Sequence, residues 1–279
     1  MVCNQAWGAP KLITELSDSA MHDAHENKNA DTADGRDLHL RVVLNEPLYG
    51  GNIGSTARVL KNFGFRDLVL VNPCPIDKDA WMMAQHARDL LGNARICGSL
   101  HEATIDSNLI VGTTGARGET TGRHLRIPAY PPERIREKLN CKSGCVSIVF
   151  GREDHGLTNE ELMLCDLLVS IPTSDEYPIM NLSHAVSVVL YELCDIVAGD
   201  VPLANRRDLD LLYRHIEDVL RDLNYPVHKR HKTALMLRRI FGRAELTARE
   251  VSTMRGILRL TSYHVDSQSG EGSANTRSD

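Results

Sequence analysis

Three short segments of this 279-residue chain set polar side chains where a strand would hand over to a helix, two of them beside glycines. The first is Gly50-Gly51-Asn52-Ile53-Gly54-Ser55-Thr56-Ala57-Arg58. Glycines there let backbone approach a ligand closely, and free N–H groups at a helix start can receive an anion. Arg58 falls about a turn and a half along that helix. A tight turn followed by a surface arginine would leave the same pattern, so both readings stand on this segment alone. The second is Gly151-Arg152-Glu153-Asp154-His155-Gly156-Leu157-Thr158, in which two glycines bracket Glu153 and hold a carboxylate on irregular backbone. The carboxyl end of a strand is where ligands bind in open parallel sheets, although a solvent-exposed acid fits as well. The third runs from Ile171-Pro172 through Tyr177-Pro178-Ile179-Met180-Asn181-Leu182-Ser183-His184-Ala185. Asn181 and Ser183 offer polar groups at a helix start, and Asn181 can serve as a plain N-cap alongside any function.

Other constellations are excluded by spacing. The loop Gly112-Thr113-Thr114-Gly115-Ala116-Arg117-Gly118 lacks the G-x-x-x-x-G-K-[ST] pattern of a nucleoside triphosphatase. No G-x-G-x-x-G opens the first helix, which weakens a dinucleotide-binding reading. Cys141 and Cys145 are four apart without a second ligand pair, and His22 and His25 lie in an acidic tail, so no metal site is expected.

The elements that must position these segments follow from periodicity. Apolar runs at 38–44, 68–71, 109–111, 146–150 and 167–171 read as buried strands. Helical stretches alternate with them at 53–63, 80–91, after Ser99, 133–139, 159–165 and 182–197. Ser99 with Glu102, and Thr158 with Glu161, have capping-box spacing and mark helix starts. Strand alternating with helix predicts an α/β fold with a mainly parallel sheet covered on both faces. Beyond 201 the strands stop. Leu209, Leu212, Ile216, Val219, Leu220 and Leu223 recur at helical spacing. A second helix is predicted around 233–241 and a third after Thr247, whose capping partner is Glu250. The expected organisation is therefore a disordered acidic tail at 1–37, an α/β domain at 38–200, a linker at 201–207, a small all-α domain at 208–263 and a disordered tail at 264–279.

The net charge of −5 conceals an uneven distribution. Residues 1–37 carry seven acids against three Lys/Arg, whereas residues 224–260 carry nine Lys/Arg against two acids. A local basic field can attract phosphates on an acidic protein, although most such runs are solvated helical faces. No run approaches the roughly 18 apolar residues of a membrane span, and no signal pattern opens the chain. Seven scattered cysteines suit a reducing cytoplasm.

In this order and at these strand ends, N-x-G-x-x-x-R, F-G-x-E-x-x-G-L and I-P…N-L-S-x-A resemble the SPOUT methyltransferases, specifically their 2′-O-methylating SpoU/TrmH branch. The resemblance covers roughly residues 38–198. With the helical extension, including Arg243-Ala244-Glu245-Leu246 and Arg255-Gly256-Ile257-Leu258-Arg259, the whole is similar to the TrmJ type, which methylates the tRNA anticodon loop.

The resemblance implies a C-terminal trefoil knot, a homodimer with the active site at the subunit interface, S-adenosyl-L-methionine as cofactor, tRNA as partner with nucleotide 32 as target, and no metal. By position it implicates Thr113, Thr114, Gly115, Gly151, Ile171, Pro178, Ile179 and Met180 in cofactor binding. It implicates Arg58, Asn52, Glu153, Asn181 and Ser183 in catalysis, with the three polar residues Asn52, Glu153 and Asn181 orienting Arg58 and the ribose. The resemblance matches Arg58 to an arginine often assigned as the proton acceptor; because a guanidinium is nearly always protonated, Arg58 is expected instead mainly to hold the target phosphate and favour the developing alkoxide, and both roles stay open on the sequence. Relatives often carry Ser where this chain has Ile179, which removes one side-chain contact. Lys229, Arg230, Lys232, Arg238 and Arg239 are expected to contact tRNA phosphates. Competing readings are an rRNA 2′-O-methyltransferase, a non-catalytic RNA-binding relative, and a dinucleotide-dependent oxidoreductase.

Overall fold

A computed structural model describes residues 37–115 and 128–274, with side chains described up to Val265. The N-terminal tail with His22 and His25, and Ala116-Arg117-Gly118, lie outside the described residues.

The apolar runs form parallel strands. β1 (Leu38–Asn45) has Val42, Val43 and Leu44 wholly buried, as expected of a strand covered on both faces. β2 (Asp67–Val71), β3 (Arg95–Cys97), β4 (Leu109–Thr113), β5 (Ala129–Tyr130), β6 (Lys142–Phe150), β7 (Leu167–Val169) and β8 (Val201–Pro202) complete the sheet. Its order is β3-β2-β1-β6-β4-β7-β5, with β8 joined to β6, and every pairing is parallel. Leu44 pairs with Phe150, so β1 and β6 end side by side. One apolar core lies on each sheet face, and a third sits within the helical extension. β3, β5 and β8 went unseen in the sequence because two or three residues carry no readable period.

α1 (Gly50–Asn62) begins earlier than the apolar period at Ile53 suggested, so the glycines occupy its first turns. Their role differs from the expected one. A Cβ on Gly54 would lie 2.0 Å from the Ala80 carbonyl oxygen, and one on Gly50 would lie 2.5 Å from Asp77 Oδ1. These glycines let α1 pack directly on α2 (Lys78–Ala84) rather than on a ligand; Gly51 has room for a Cβ, which would meet only Met83 Cγ at an ordinary contact of 3.8 Å. The single helix expected at 80–91 is broken at Gln85, which has φ +51. A 3-10 turn at Gln85–Ala87 precedes α3 (Arg88–Gly92). Lys61 Nζ and Arg88 Nε donate to the freed carbonyls of His86 and Trp81, which makes the break tolerable.

α4 (Leu100–Thr104), α5 (Pro132–Leu139), α6 (Asn159–Leu164) and α7 (Leu182–Leu193) follow. Thr158 and Glu161 form the reciprocal capping box at α6. The extension comprises α8 (Arg206–Asp222), α9 (Val227–Ala244) and α10 (Ala248–Ala274).

The segment expected as a linker is instead built into the sheet domain. β8 pairs with Lys142 and Ser143, and Asn108 Nδ2 donates to the carbonyls of Leu203 and Ala204. Arg206, buried, donates to the buried Asp166 carboxylate at 2.5 Å. The described residues from 37 onward accordingly belong to one compact unit. α10 continues to Ala274, past the expected start of a disordered tail, since elongating a nucleated helix adds one hydrogen bond per residue.

Candidate active site

β1 and β6 are neighbours, but the chain leaves them in opposite directions, towards β2 and β7. Such a switch point opens a crevice at the carboxyl ends of the strands. The first and second motifs meet there, and the third reaches them from α7. Asn52 Nδ2 donates to Glu153 Oε1 at 2.8 Å, and Leu48 N donates to Glu153 Oε2 at 2.8 Å. Asn181 Nδ2 donates to Asn52 Oδ1 at 3.0 Å. Asn181 Oδ1 then accepts from Ser183 N at 3.0 Å, Ser183 Oγ at 2.8 Å and His184 N at 3.4 Å. Asn181 is thus both the N-cap of α7 and a member of a relay, Glu153–Asn52–Asn181–Ser183, across three loops.

Glu153 stands on a rigid turn. Arg152 and Gly156 exchange two backbone hydrogen bonds, and Gly156 has φ +70. A Cβ on Gly151 would lie 2.2 Å from the Gly156 carbonyl carbon, so only glycine fits. Arg152, which the sequence reading did not single out, donates to Glu46 and twice to Glu161. Asn45 Nδ2 donates to the same Glu161. Burial opposes ionisation of Glu161, but Arg152, Thr158 N and Asn45 together hold its carboxyl below the usual range. No local spacing announces this clamp, because its members lie on β1, the β6 loop and α6.

Arg58 is exposed on α1 and makes no hydrogen bond or ion pair with a described residue. Six residues beyond Asn52, it sits about 9 Å further along the helix axis. The expectation that Asn52, Glu153 and Asn181 orient Arg58 is therefore not met within one chain, because those side chains bond to one another. An open cleft of about 640 Å³ adjoins the relay; Asn52, Asn181 and Ser183 line it with Tyr49, Ser55, Asp79 and His184, and Gly51, Met82 and Met83 complete its wall. Asp79 and His184 were not singled out by the sequence.

The residues expected to hold the cofactor lie at the ends of β4, β6 and β7, which are adjacent. Thr114 N donates to Val169 O at 2.9 Å, and Thr173 Oγ1 donates to Pro178 O at 3.0 Å, closing the loop before α7. A Cβ on Gly115 would lie 2.9 Å from Ile179 Cδ1, the mobile end of an exposed side chain, so the two loops lie side by side there. Gly151 is buried, Thr113, Thr114, Ile171 and Met180 are half-buried, and Gly115, Pro178 and Ile179 are exposed. None of the eight bears a charged side chain, which fits a neutral adenine held by backbone groups against apolar side chains.

The five basic residues of α9 divide. Lys229 and Lys232 are exposed. Arg230 Nη2 donates to Tyr225 O, and the Arg238 guanidinium lies 4.7 Å from the centroid of the Tyr213 ring. Burial, then Arg243 nearby, lowers the basicity of Arg239. Among the described residues no group of three or more His, Cys, Asp or Glu could hold a metal ion, and no helix is long and apolar enough to cross a membrane. Cys141 is exposed, while burial pushes the Cys145 thiol up to about 11.

A parallel α/β sheet with a polar relay across its switch point and a basic helical extension has counterparts among known proteins. Residues 39–191 match the SpoU rRNA Methylase family, and residues 207–270 match the C-terminal domain of the tRNA methyltransferase TrmJ. The chain is 41% identical over 225 residues to the tRNA (cytidine-2′-O-)-methyltransferase TrmJ of Methanocaldococcus jannaschii, covering 78% of this chain and 97% of that protein. It is 38% identical over 237 residues to the tRNA (cytidine/uridine-2′-O-)-methyltransferase TrmJ of Photorhabdus laumondii, covering 79% and 95%. The crystal structure of TrmJ from Z. mobilis ZM4 superposes with a TM-score of 0.64 at 29% identity, covering 79% of this chain and 97% of that one. The chain belongs to the SpoU methylase family, and to its TrmJ group.

Proposed function

We propose that this protein is an S-adenosyl-L-methionine-dependent methyltransferase that methylates a ribose 2′-oxygen of tRNA, at nucleotide 32 of the anticodon loop. The relay Glu153–Asn52–Asn181–Ser183, set beside a cleft at the sheet's switch point, is the observation that carries this reading. The relatives named as tRNA 2′-O-methyltransferases and the TrmJ-type extension support tRNA over rRNA.

The cofactor would be held by Thr113, Thr114, Gly115, Gly151, Ile171, Pro178, Ile179 and Met180, and it supplies an electrophilic methyl group. The chain itself has to position the ribose oxygen and ease removal of its proton. The relay holds the β6 turn against the start of α1 and the cap of α7, so the cleft wall is rigid before substrate arrives. Arg58 binds the phosphate of the target nucleotide and favours negative charge on the oxygen. Lys229 and Lys232 contribute phosphate contacts, whereas Arg238 is partly committed to Tyr213.

A homodimer belongs to the same reading. Arg58 does not touch the relay of its own chain, and Trp81, Met82 and Met83 of α2 and Tyr191 of α7 are exposed apolar surface. A second copy that covers this surface would bring its Arg58 to the first copy's relay. The trefoil knot of the superfamily and a cytoplasmic location are part of this proposal.

The test is methylation of unmodified tRNA transcripts with labelled donor, followed by mapping of the modified ribose. The expected result is one labelled 2′-oxygen in the anticodon loop; no transfer to any tRNA overturns the reading.

A further inference from the structure

Arg152 stands one residue before Glu153, yet its side chain turns away from the relay. Nε donates to Glu46 Oε2 at 2.9 Å, while Nη1 and Nη2 donate to the two Glu161 oxygens at 2.9 and 2.8 Å. Nη2 also lies 2.7 Å from Glu46 Oε2, and Nη1 reaches Gly156 O at 3.4 Å. Every guanidinium nitrogen is therefore engaged, and only 10% of the side chain is exposed. Glu161 is equally filled, since its Oε1 also accepts from Asn45 Nδ2 and its Oε2 from Thr158 N.

These bonds lace two loops together. Arg152 holds Glu46 of the loop after β1, and Glu153 Oε2 accepts from Leu48 N, two residues further along that loop. Arg152, Glu46, Leu48 and Glu153 thus form a closed circuit, and Asn52 bonds its Glu153 corner. A shift of Arg152 moves the carboxylate that orients Asn52. Stability alone does not account for the clamp. Replacing a buried ion pair by apolar residues is often neutral or stabilising, and the turn is fastened independently by the backbone pair between Arg152 and Gly156. What the guanidinium adds is direction, because a planar fork meets two carboxylates at fixed angles and an ammonium does not.

We propose that Arg152 is a positioning residue for methyl transfer, which sets the Glu153 carboxylate against Asn52 by tying the β6 turn to Glu46 and Glu161. The assignment rests on the tRNA methyltransferase reading above. Arg152 acts only through Glu153 and Asn52 and leaves the role of Arg58 unchanged. Outer partners of this kind matter because a displacement of about 1 Å at the reacting groups can cost about 10²-fold in rate.

Single-turnover methyl transfer to tRNA at saturating donor, for wild type, Arg152→Lys, Asn52→Ala and the double variant, is the kinetic test. Arg152→Lys keeps the charge and loses the fork, and its rate is expected to fall about 10- to 100-fold. Because Arg152 acts through the bond that Asn52 makes, the double variant should be within about threefold of Asn52→Ala alone. A contribution to the fold alone would instead multiply the two losses. A second readout needs no methyl donor. In the ligand-free chain the Leu48 amide hydrogen, held by Glu153 Oε2, should exchange faster in Arg152→Lys, while those of Val42 and Val43 in β1 keep wild-type rates. Glu46→Ala opens the clamp from its half-buried end and carries the same expectations where Arg152→Lys does not fold. An Arg152→Lys rate within about threefold of wild type overturns the assignment, as do losses that multiply in the double variant or an unchanged Leu48 exchange rate. A wild-type chain that binds S-adenosylhomocysteine yet transfers no methyl group to tRNA overturns the parent reading, and this one with it.

Discussion

Asn52 Nδ2 lies 2.8 Å from Glu153 Oε1, although the two residues are 101 positions apart. Through this bond the start of α1 and the turn after β6 become one wall of a cleft. Asn52→Ala leaves Glu153 Oε1 and Asn181 Nδ2 without their partners. Methyl transfer to tRNA is expected to fall at least about tenfold, equivalent to roughly 1.4 kcal/mol in the barrier. Asn52→Asp, which sets a carboxylate against Glu153, should fall further. Rates near wild type for both would show that the relay does not support the reaction.

The position of Arg58 outside its own relay predicts a shared site. Arg58→Ala and Asn52→Ala homodimers should each keep at most about a tenth of wild-type activity. Mixing them in equal amounts, with subunit exchange, should restore about a quarter of wild-type activity, since half the dimers are mixed and each has one complete site. No recovery in a mixture whose exchange is verified by native mass spectrometry would mean that each chain uses its own Arg58.

Two glycines of the first motif should behave oppositely. Gly54→Ala forces a methyl group against the Ala80 carbonyl, where only 2.0 Å is available, and should destabilise the fold by about 1–3 kcal/mol. Gly51→Ala meets nothing nearer than Met83 Cγ at 3.8 Å and should melt close to wild type. Thermal denaturation of the two variants checks the contrast.

Acid sensitivity should concentrate at the amino ends of β1 and β2. Arg41 donates to Asp67 and Asp106, and His39 also bonds Asp67. The Arg41 hydrogen bond holds the Asp106 carboxyl below its usual range; for Asp67, burial opposes ionisation but His39 and Arg41 outweigh it. Both carboxylates are depressed in the folded state, so their contribution is complete above the ordinary aspartate value near ~3.9 and is lost as pH falls through the lower folded values. Urea denaturation at pH 7 and below pH 4 should show a smaller acid loss in Asp106→Asn than in wild type.

The basic face of α9 should split by function. Lys229→Ala with Lys232→Ala should reduce the salt dependence of tRNA binding by about two phosphate contacts and leave the melting temperature unchanged. Arg238→Ala should lower the melting temperature, since it removes the cation over the Tyr213 ring. A melting temperature unaffected by Arg238→Ala would assign that residue wholly to RNA.

What the sequence determined by itself is local. The main strands, the helix starts at Ser99, Thr158 and Thr247, and the order of three motifs depend on side chains within a few residues of one another, so periodicity and cap spacing reveal them. The tertiary structure decided what depends on sheet order. It joined Asn52, Glu153 and Asn181, turned Gly50 and Gly54 towards α2, and left Arg58 outside the relay. It also built residues 201–206 into the sheet through Asn108 and the buried Asp166–Arg206 pair. Each of these is a contact between segments far apart in the chain, and only the parallel pairing that brings β1, β6 and β4 side by side selects it.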